Sequence, residues 1–265
     1  MNFQQSKSVF IIAELSANHN GSKETAVQTI RAAKRTGADA IKLQTYRADT
    51  ITLDAKEKDF LIEGDSIWAG QNLFSLYEKA YTPWEWHKTL FDVAKEEGLI
   101  CFSSPFDTTA VDLLETLDNP IYKIASFEIT DIPLIRYVAS KGKPIIISTG
   151  IAAIEDIELA VETCRNEGNN QITLLKCTSS YPAPMEEANL VMIKDLAEHF
   201  NVATGLSDHT LGITAPVVAV TQGAKVIEKH FILDKTIGGP DASFSLDKIE
   251  FTQMVKAVRE EELAL

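Results

Sequence analysis

His209 and His230 stand near the ends of two short strand-like runs, Gly205–His209 and Val226–Phe231. Two imidazoles brought together there could each offer one nitrogen to a divalent metal, with water and substrate oxygens completing the shell. The plain alternative is a pair of core histidines, since imidazole is often partly buried without binding anything. The flanking acids Asp208 and Glu228 suit roles that orient such ligands. The remaining histidines are placed differently: His19 falls in a loop, and His87 and His199 fall in helical stretches.

Lys42 and Lys123 point to anion binding. Ser126, Ser148, Ser207 and the Thr178-Ser179-Ser180 run add hydroxyls. Ammonium and hydroxyl groups at one level are what a phosphate needs.

The elements that must position these groups alternate along the chain. Apolar, β-branched runs at 9–15, 40–45, 99–103, 122–125, 145–148, 172–177, 202–206 and 226–231 read as buried parallel strands. Amphipathic stretches of helical length follow at 23–36, 83–97, 107–117, 131–140, 153–166, 190–199, 214–222 and 247–263. Ser22 reads as a cap for the first, and Thr82-Pro83 as a cap with proline at the first helical position for the second. Eight strand–helix units make an α/β chain of the (β/α)8 TIM barrel type, typically ~250 residues long. A doubly wound sheet is the competitor, but no glycine-rich phosphate turn of its kind occurs. The long connection at 48–80 carries Trp68, Phe74 and Tyr77. It is expected to be partly folded and to lie over one mouth of the barrel.

Strand parity gives an independent test. In 40–46 one parity reads Ile41, Leu43, Thr45 and the other Lys42, Gln44, Tyr46. Glu14 shares a face with Ile12, Ser207 with His209, and Glu228 with His230. Polar side chains therefore gather on the inward parity near strand C-terminal ends, the rim where barrels of this kind carry their active sites. Burying them costs free energy unless they pair or meet a ligand. A layer of inward ion pairs, such as Glu14–Lys42 or Lys123–Glu228, is the structural alternative.

Composition narrows the rest. The chain has 265 residues, 45% hydrophobic and 24% charged, with a formal net charge of −13. That excludes disorder and leaves no basic face for a nucleic-acid partner. An anionic substrate must be held by local cations against the overall field. Cys101, Cys164 and Cys177 form no CxxC pair and read as reduced thiols of a cytoplasmic protein. No signal-type or membrane-spanning apolar run is present in the sequence, so no membrane partner is expected.

These motifs resemble the sialic acid synthase (NeuB-like) family along essentially the whole chain. The resemblance rests on the segments 10–21 (FIIAELSANHNG), 37–44 (GADAIKLQ), 102–106 (FSSPF), 122–126 (YKIAS), 148–150 (STG), 176–182 (KCTSSYP), 205–209 (GLSDH) and 223–231 (GAKVIEKHF). The AELSANH opening and the segment TPWEWH at 82–87 favour the pseudaminic acid branch of that family.

The resemblance implies condensation of phosphoenolpyruvate with an N-acetylated amino-sugar aldose, by C–O cleavage and loss of phosphate. It implies His209 and His230 as ligands for Mn²⁺ or Mg²⁺. Lys42, Lys123, Ser126, Ser148, Ser179 and Ser207 would hold phosphoenolpyruvate, with Ser104 near its carboxylate. Ser179 stands where sialic acid synthases often carry asparagine. Gln44, Tyr181 and Asp241 would meet the sugar. Glu14 and Glu128 would be the carboxylates at the reacting centre, with Glu128 the general acid/base. Loop residues in 48–80 and 182–189 are expected to select the aldose among pseudaminic, legionaminic and sialic acid precursors.

Rival readings are a synthase acting on phosphorylated sugars, a metal-dependent hydrolase and a non-catalytic sugar-binding barrel. The first needs an extra cationic pocket, and the second commonly carries an HxH pair on its first strand; neither is found in the sequence. The expected organisation is a single barrel over 1–265. The small antifreeze-like domain that follows the barrel in this family, and caps the partner's barrel in a homodimer, is expected to be absent. Its absence is expected to leave an intact phosphoenolpyruvate and metal site with weakened sugar affinity.

Overall fold

The structure is a computed structural model and describes residues 3–63 and 67–265. Residues 64–66 of the long connection lie outside the described residues. Eight parallel strands close into a barrel in sequence order, as expected.

The order is β1 (Phe10–Glu14), α1 (Lys23–Arg35), β2 (Ala40–Thr45), α2 (Ala48–Ile51), α3 (Leu73–Ala80), α4 (Trp84–Glu96), β3 (Ile100–Pro105) and α5 (Thr108–Thr116). Then follow β4 (Tyr122–Ile124), α6 (Ile132–Ala139), β5 (Ile145–Ser148), α7 (Ile154–Asn166) and β6 (Ile172–Cys177). The chain continues through α8 (Met192–Phe200), β7 (Ala203–Asp208), α9 (Thr214–Thr221), β8 (Val226–His230) and α10 (Lys248–Ala264).

Parity divides each strand between two environments. One set faces the helix layer, where Ile11, Ala13, Ile41, Leu43 and Ile227 pack against Ile30 of α1 and Phe251 and Met254 of α10. The other set faces inward. At the N-terminal end of the barrel it is apolar: Ile12, Ala40, Phe102, Ile146, Leu175, Ala203 and Val226 form one cluster, closed by Phe3. Toward the strand C-terminal ends the same parity turns polar, through Glu14, Lys42, Lys123, Ser148, Ser207 and Glu228, all buried. Gly205 lets β7 and β8 approach. A Cβ there would lie 2.0 Å from the Val226 carbonyl oxygen, inside any van der Waals contact.

Local signals mostly place the helices. Ser22 caps α1 by accepting from the Thr25 N–H at 3.2 Å. Asp247 caps α10 in a reciprocal pair with Glu250. One expectation fails: Thr82 does not cap α4. Pro83 itself occupies the cap with φ −53° and ψ 131°, outside helical geometry. The Thr82 hydroxyl turns instead to His19 Nε2 at 3.2 Å.

The long connection folds into α2, a short turn at Lys58–Phe60, and α3. The Trp68 indole donates to the Pro240 carbonyl at 3.2 Å, and its ring lies 5.6 Å from Tyr181. The connection thus lies across the C-terminal mouth, as expected. All three cysteines are buried and free. No helix among the described residues is long and apolar enough to cross a membrane.

Candidate active site

The polar rim resolves into four linked groups. Lys42 is the centre of the first. Its ammonium lies 3.0 Å from Glu14 Oε2, 3.0 Å from Glu228 Oε1 and 3.5 Å from Ser104 Oγ. Gln44 donates to Glu14 Oε1 at 3.0 Å, and Ser207 donates to Glu228 Oε1 at 3.3 Å. Adjacent strand ends produce this cluster, because Glu14 and Lys42 are register partners across β1 and β2.

The two carboxylates split their roles. Burial pushes Glu14 up to about 7, with the Glu228 charge adding to it and Lys42 opposing. Burial also resists ionisation of Glu228, but Lys42 and Lys123 outweigh it and hold that carboxyl below its usual range. Glu228 is thus the standing anion, and Glu14 can take up a proton near neutrality.

Lys123 sits differently. Its ammonium donates to Ser148 Oγ at 2.6 Å and to the Ile124 carbonyl at 2.9 Å, with no carboxylate in ion-pair contact among the described residues. Burial lowers it to about 8. It is a nearly bare, desolvated cation aimed into the barrel mouth.

The third group is a cradle. Ser179 donates to Ser126 Oγ at 2.9 Å, and Ser126 accepts from the Ile151 N–H at 3.0 Å. Gly150 closes it: a Cβ there would lie 2.3 Å from Ser179 Oγ and 2.8 Å from Ser126 Oγ. Only a glycine leaves those hydroxyls their space.

The fourth group holds the imidazoles. The His209 and His230 rings stand 5.4 Å apart, with Tyr181 4.3 Å from His209 and Phe244 4.9 Å from His230. His209 Nδ1 lies 2.9 Å from the Thr178 carbonyl. A carbonyl only accepts, so Nδ1 carries the proton and Nε2 presents its lone pair. His230 Nδ1 is buried without a hydrogen bond, 3.8 Å from Asp241 Oδ2. Asp241 itself accepts from the Ala17 N–H at 3.3 Å.

Among the described residues, no set of three or more His, Cys, Asp or Glu could hold a metal ion. The pair of imidazoles nonetheless fits a divalent cation whose remaining ligands are oxygens from water and substrate. One has its tautomer fixed from behind, and the other has an orphaned buried nitrogen.

Glu128 lies in the turn Ser126–Thr130 that follows β4. Its Oε2 is buried without a hydrogen bond. Burial pushes it up to about 7 against the pull of Lys123. A carboxyl poised there can both give and take a proton at neutral pH.

The catalytic, substrate and metal candidates read from the sequence therefore lie on the inward face or at the mouth, whereas Asp208, His87 and His199 do not. Asp208 lies on the parity opposite to Glu228, where it pairs with Lys229. One sequence reading is corrected. The Lys123–Glu228 ion pair does not form, since Lys42 takes Glu228. His19 and His87 are consumed by Thr82 and Thr45, and burial lowers both to about 4. Sequence reasoning missed Gly150, although the Ser148-Thr-Gly150 run carried it. It also missed Cys177, whose Sγ lies 3.9 Å from His209 Nδ1. The parity it shares with Leu175 was the available signal.

Comparison with known proteins identifies the family. The NeuB family model matches residues 29–265. The chain is 52% identical over 264 residues to the pseudaminic acid synthase of Campylobacter jejuni, covering 100% of this chain and 77% of that protein. It is 50% identical to the pseudaminic acid synthase of Helicobacter pylori, covering 96% of this chain and 75% of that one. The N-acetylneuraminic acid synthetase of Leptospira borgpetersenii, solved with citrate, superposes with a TM-score of 0.87 at 31% identity, over 97% of this chain and 85% of that one. Likeness of this depth, in sequence and in fold along nearly all of the chain, shows that it belongs to the NeuB family.

Proposed function

We propose that this chain condenses phosphoenolpyruvate with the open-chain aldehyde of an N-acetylated amino-sugar. The product is a nine-carbon nonulosonic acid of the pseudaminic type, and phosphate is released. One observation carries the reading: Lys123, buried and without a carboxylate in ion-pair contact among the described residues, opens on the same barrel mouth as the hydroxyl cradle and the imidazole pair. The names of the relatives at half identity support the same chemistry.

Lys123 and the hydroxyls of Ser126, Ser148 and Ser179 hold the phosphate. Lys42 and Ser104 face the carboxylate of the same ligand, with Ser207 bound to the Glu228 that holds Lys42. Taking up a proton loosens Glu14's hold on Lys42 and frees that cation for the substrate. Gln44, Tyr181 and Asp241 receive the sugar. His209 and His230 hold Mn²⁺ or Mg²⁺, which when bound supplies Lewis-acid polarisation of an oxygen.

Carbon 3 of the enol attacks the aldehyde carbon, and Glu128 gives its proton to the aldehyde oxygen. Water adds at carbon 2 and returns a proton to the Glu128 carboxylate. The carbon 2–oxygen bond to phosphate then breaks as the carbon 2 hydroxyl gives its proton to the departing phosphate, leaving the keto acid. The barrel supplies its fixed charges in a dry site, where they act more strongly than in water.

The test is phosphate release. It is expected only when phosphoenolpyruvate, a 2-acetamido aldose and Mn²⁺ are all present. Release from phosphoenolpyruvate alone, or none with any member of an aldose panel, overturns the reading.

The cradle makes its own prediction. Gly150→Ala forces the Ser179 and Ser126 hydroxyls apart. Overpacking of ~1–3 kcal/mol at the binding site raises the phosphoenolpyruvate KM by about fivefold or more. The aldose KM should stay within about twofold by the same local reasoning. An unchanged phosphoenolpyruvate KM removes the cradle from the binding site.

A further inference from the structure

Asp208 and Lys229 are the last register pair of the β7–β8 ladder, and the residue after each is an imidazole of the site. Their side chains lie on the parity opposite to Ser207 and Glu228, away from the barrel interior. Both are buried, with 3% and 1% of their surface exposed. The Lys229 ammonium is bonded to Asp208 Oδ2 and donates to the Thr210 carbonyl at 2.6 Å. The other carboxylate oxygen, Asp208 Oδ1, accepts from the Thr210 N–H at 2.9 Å.

These three bonds close a ring around His209. Lys229 grips the residue before His209 and the residue after it, from the strand that carries His230. The grip falls where the ladder runs out, since β7 ends at Asp208. On its other side His209 is held toward the segment after β6, through the Ala183 N–H to its carbonyl at 3.0 Å and through the Thr178 carbonyl. The Asp208–Lys229–Thr210 ring ties it to β8.

A buried ion pair is an inefficient way to gain stability, because well-packed apolar residues do as well or better. Its best-attested use is to fix registry. We propose that Asp208 and Lys229 are positioning residues that set the spacing of the His209 and His230 imidazoles, and through it the pair's affinity for a divalent cation. The inference rests on the metal reading of the site given above.

The test is Mn²⁺ binding, read by electron paramagnetic resonance of the free ion, without any turnover. Lys229→Met is expected to weaken Mn²⁺ binding by about tenfold or more, the range seen when groups behind metal ligands are lost. Lys229→Arg, which keeps the charge, is expected to recover most of it.

Should Lys229→Met melt below the assay temperature, the Asp208→Asn, Lys229→Met double variant leaves no unpaired buried charge and is read in the same way. A folded variant binding Mn²⁺ within twofold of the unaltered chain overturns the inference. Failure of the unaltered chain to bind Mn²⁺ at all overturns the metal reading instead.

Discussion

Replacing both imidazoles, His209→Ala with His230→Ala, is expected to reduce turnover by roughly a thousandfold or more, the equivalent of the several kcal/mol that a bound cation contributes. The fold should survive. His209 contributes a hydrogen bond to the Thr178 carbonyl, worth about 1 kcal/mol, and His230 Nδ1 makes none. The loss should therefore appear in turnover and in Mn²⁺ binding, with a small change in melting temperature. Phosphoenolpyruvate binding without metal should persist, because Lys42 and Lys123 are untouched. Turnover within tenfold of the unaltered chain, in chelator-treated buffer, would remove the imidazoles from the chemistry.

Glu128→Gln is the second large effect. General acid–base groups contribute ~10²–10⁴-fold, and Gln keeps the shape while losing the transferable proton. The expected result is a fall in kcat of at least about a hundredfold, with phosphoenolpyruvate affinity changed by less than about threefold. The pH profile supplies a further check. Burial raises Glu128 to about 7, so the protonated acid that begins the reaction predominates below that value. The rate should then fall as pH rises through about 7, and the limb due to Glu128 should be missing in the variant. Equal turnover sinks the assignment.

The barrel was legible because its signals are local and repeated. Each strand is a short run such as Ile145–Ser148, and each helix has a start or stop that physics requires, such as Ser22 or Asp247. The inward parity was legible too. Lys42 and Gln44, or Glu228 and His230, sit two residues apart on strands whose other parity is mostly apolar, with Lys229 and Thr45 the exceptions.

Pairing between strands was legible only in part: the Glu14–Lys42 pair forms, but the partner of Glu228 depends on the register of closure. Glu228 belongs to Lys42 across the barrel interior rather than to Lys123. Asp208 adjoins His209 in the chain yet faces the other way, since successive strand residues point to opposite faces. Gly150 was hidden for another reason: its role is the space it leaves, which only the positions of Ser126 and Ser179 reveal. The Thr82 cap failed because His19, distant in sequence, competes for the same hydroxyl.

The interior changes character along the barrel axis, apolar from Phe3 to Val226 at one end and charged from Glu14 to Glu228 at the other. This separation has a consequence for divergence by descent. The stack that holds the strands together contains none of the groups proposed to touch a ligand. The loops over the mouth contribute little to that stack. Substitutions that favour a different sugar can therefore accumulate around Trp68 and Tyr181 while the interior below them stays as it is. A lineage with this architecture can alter the carbohydrate it makes step by step, each intermediate still folding.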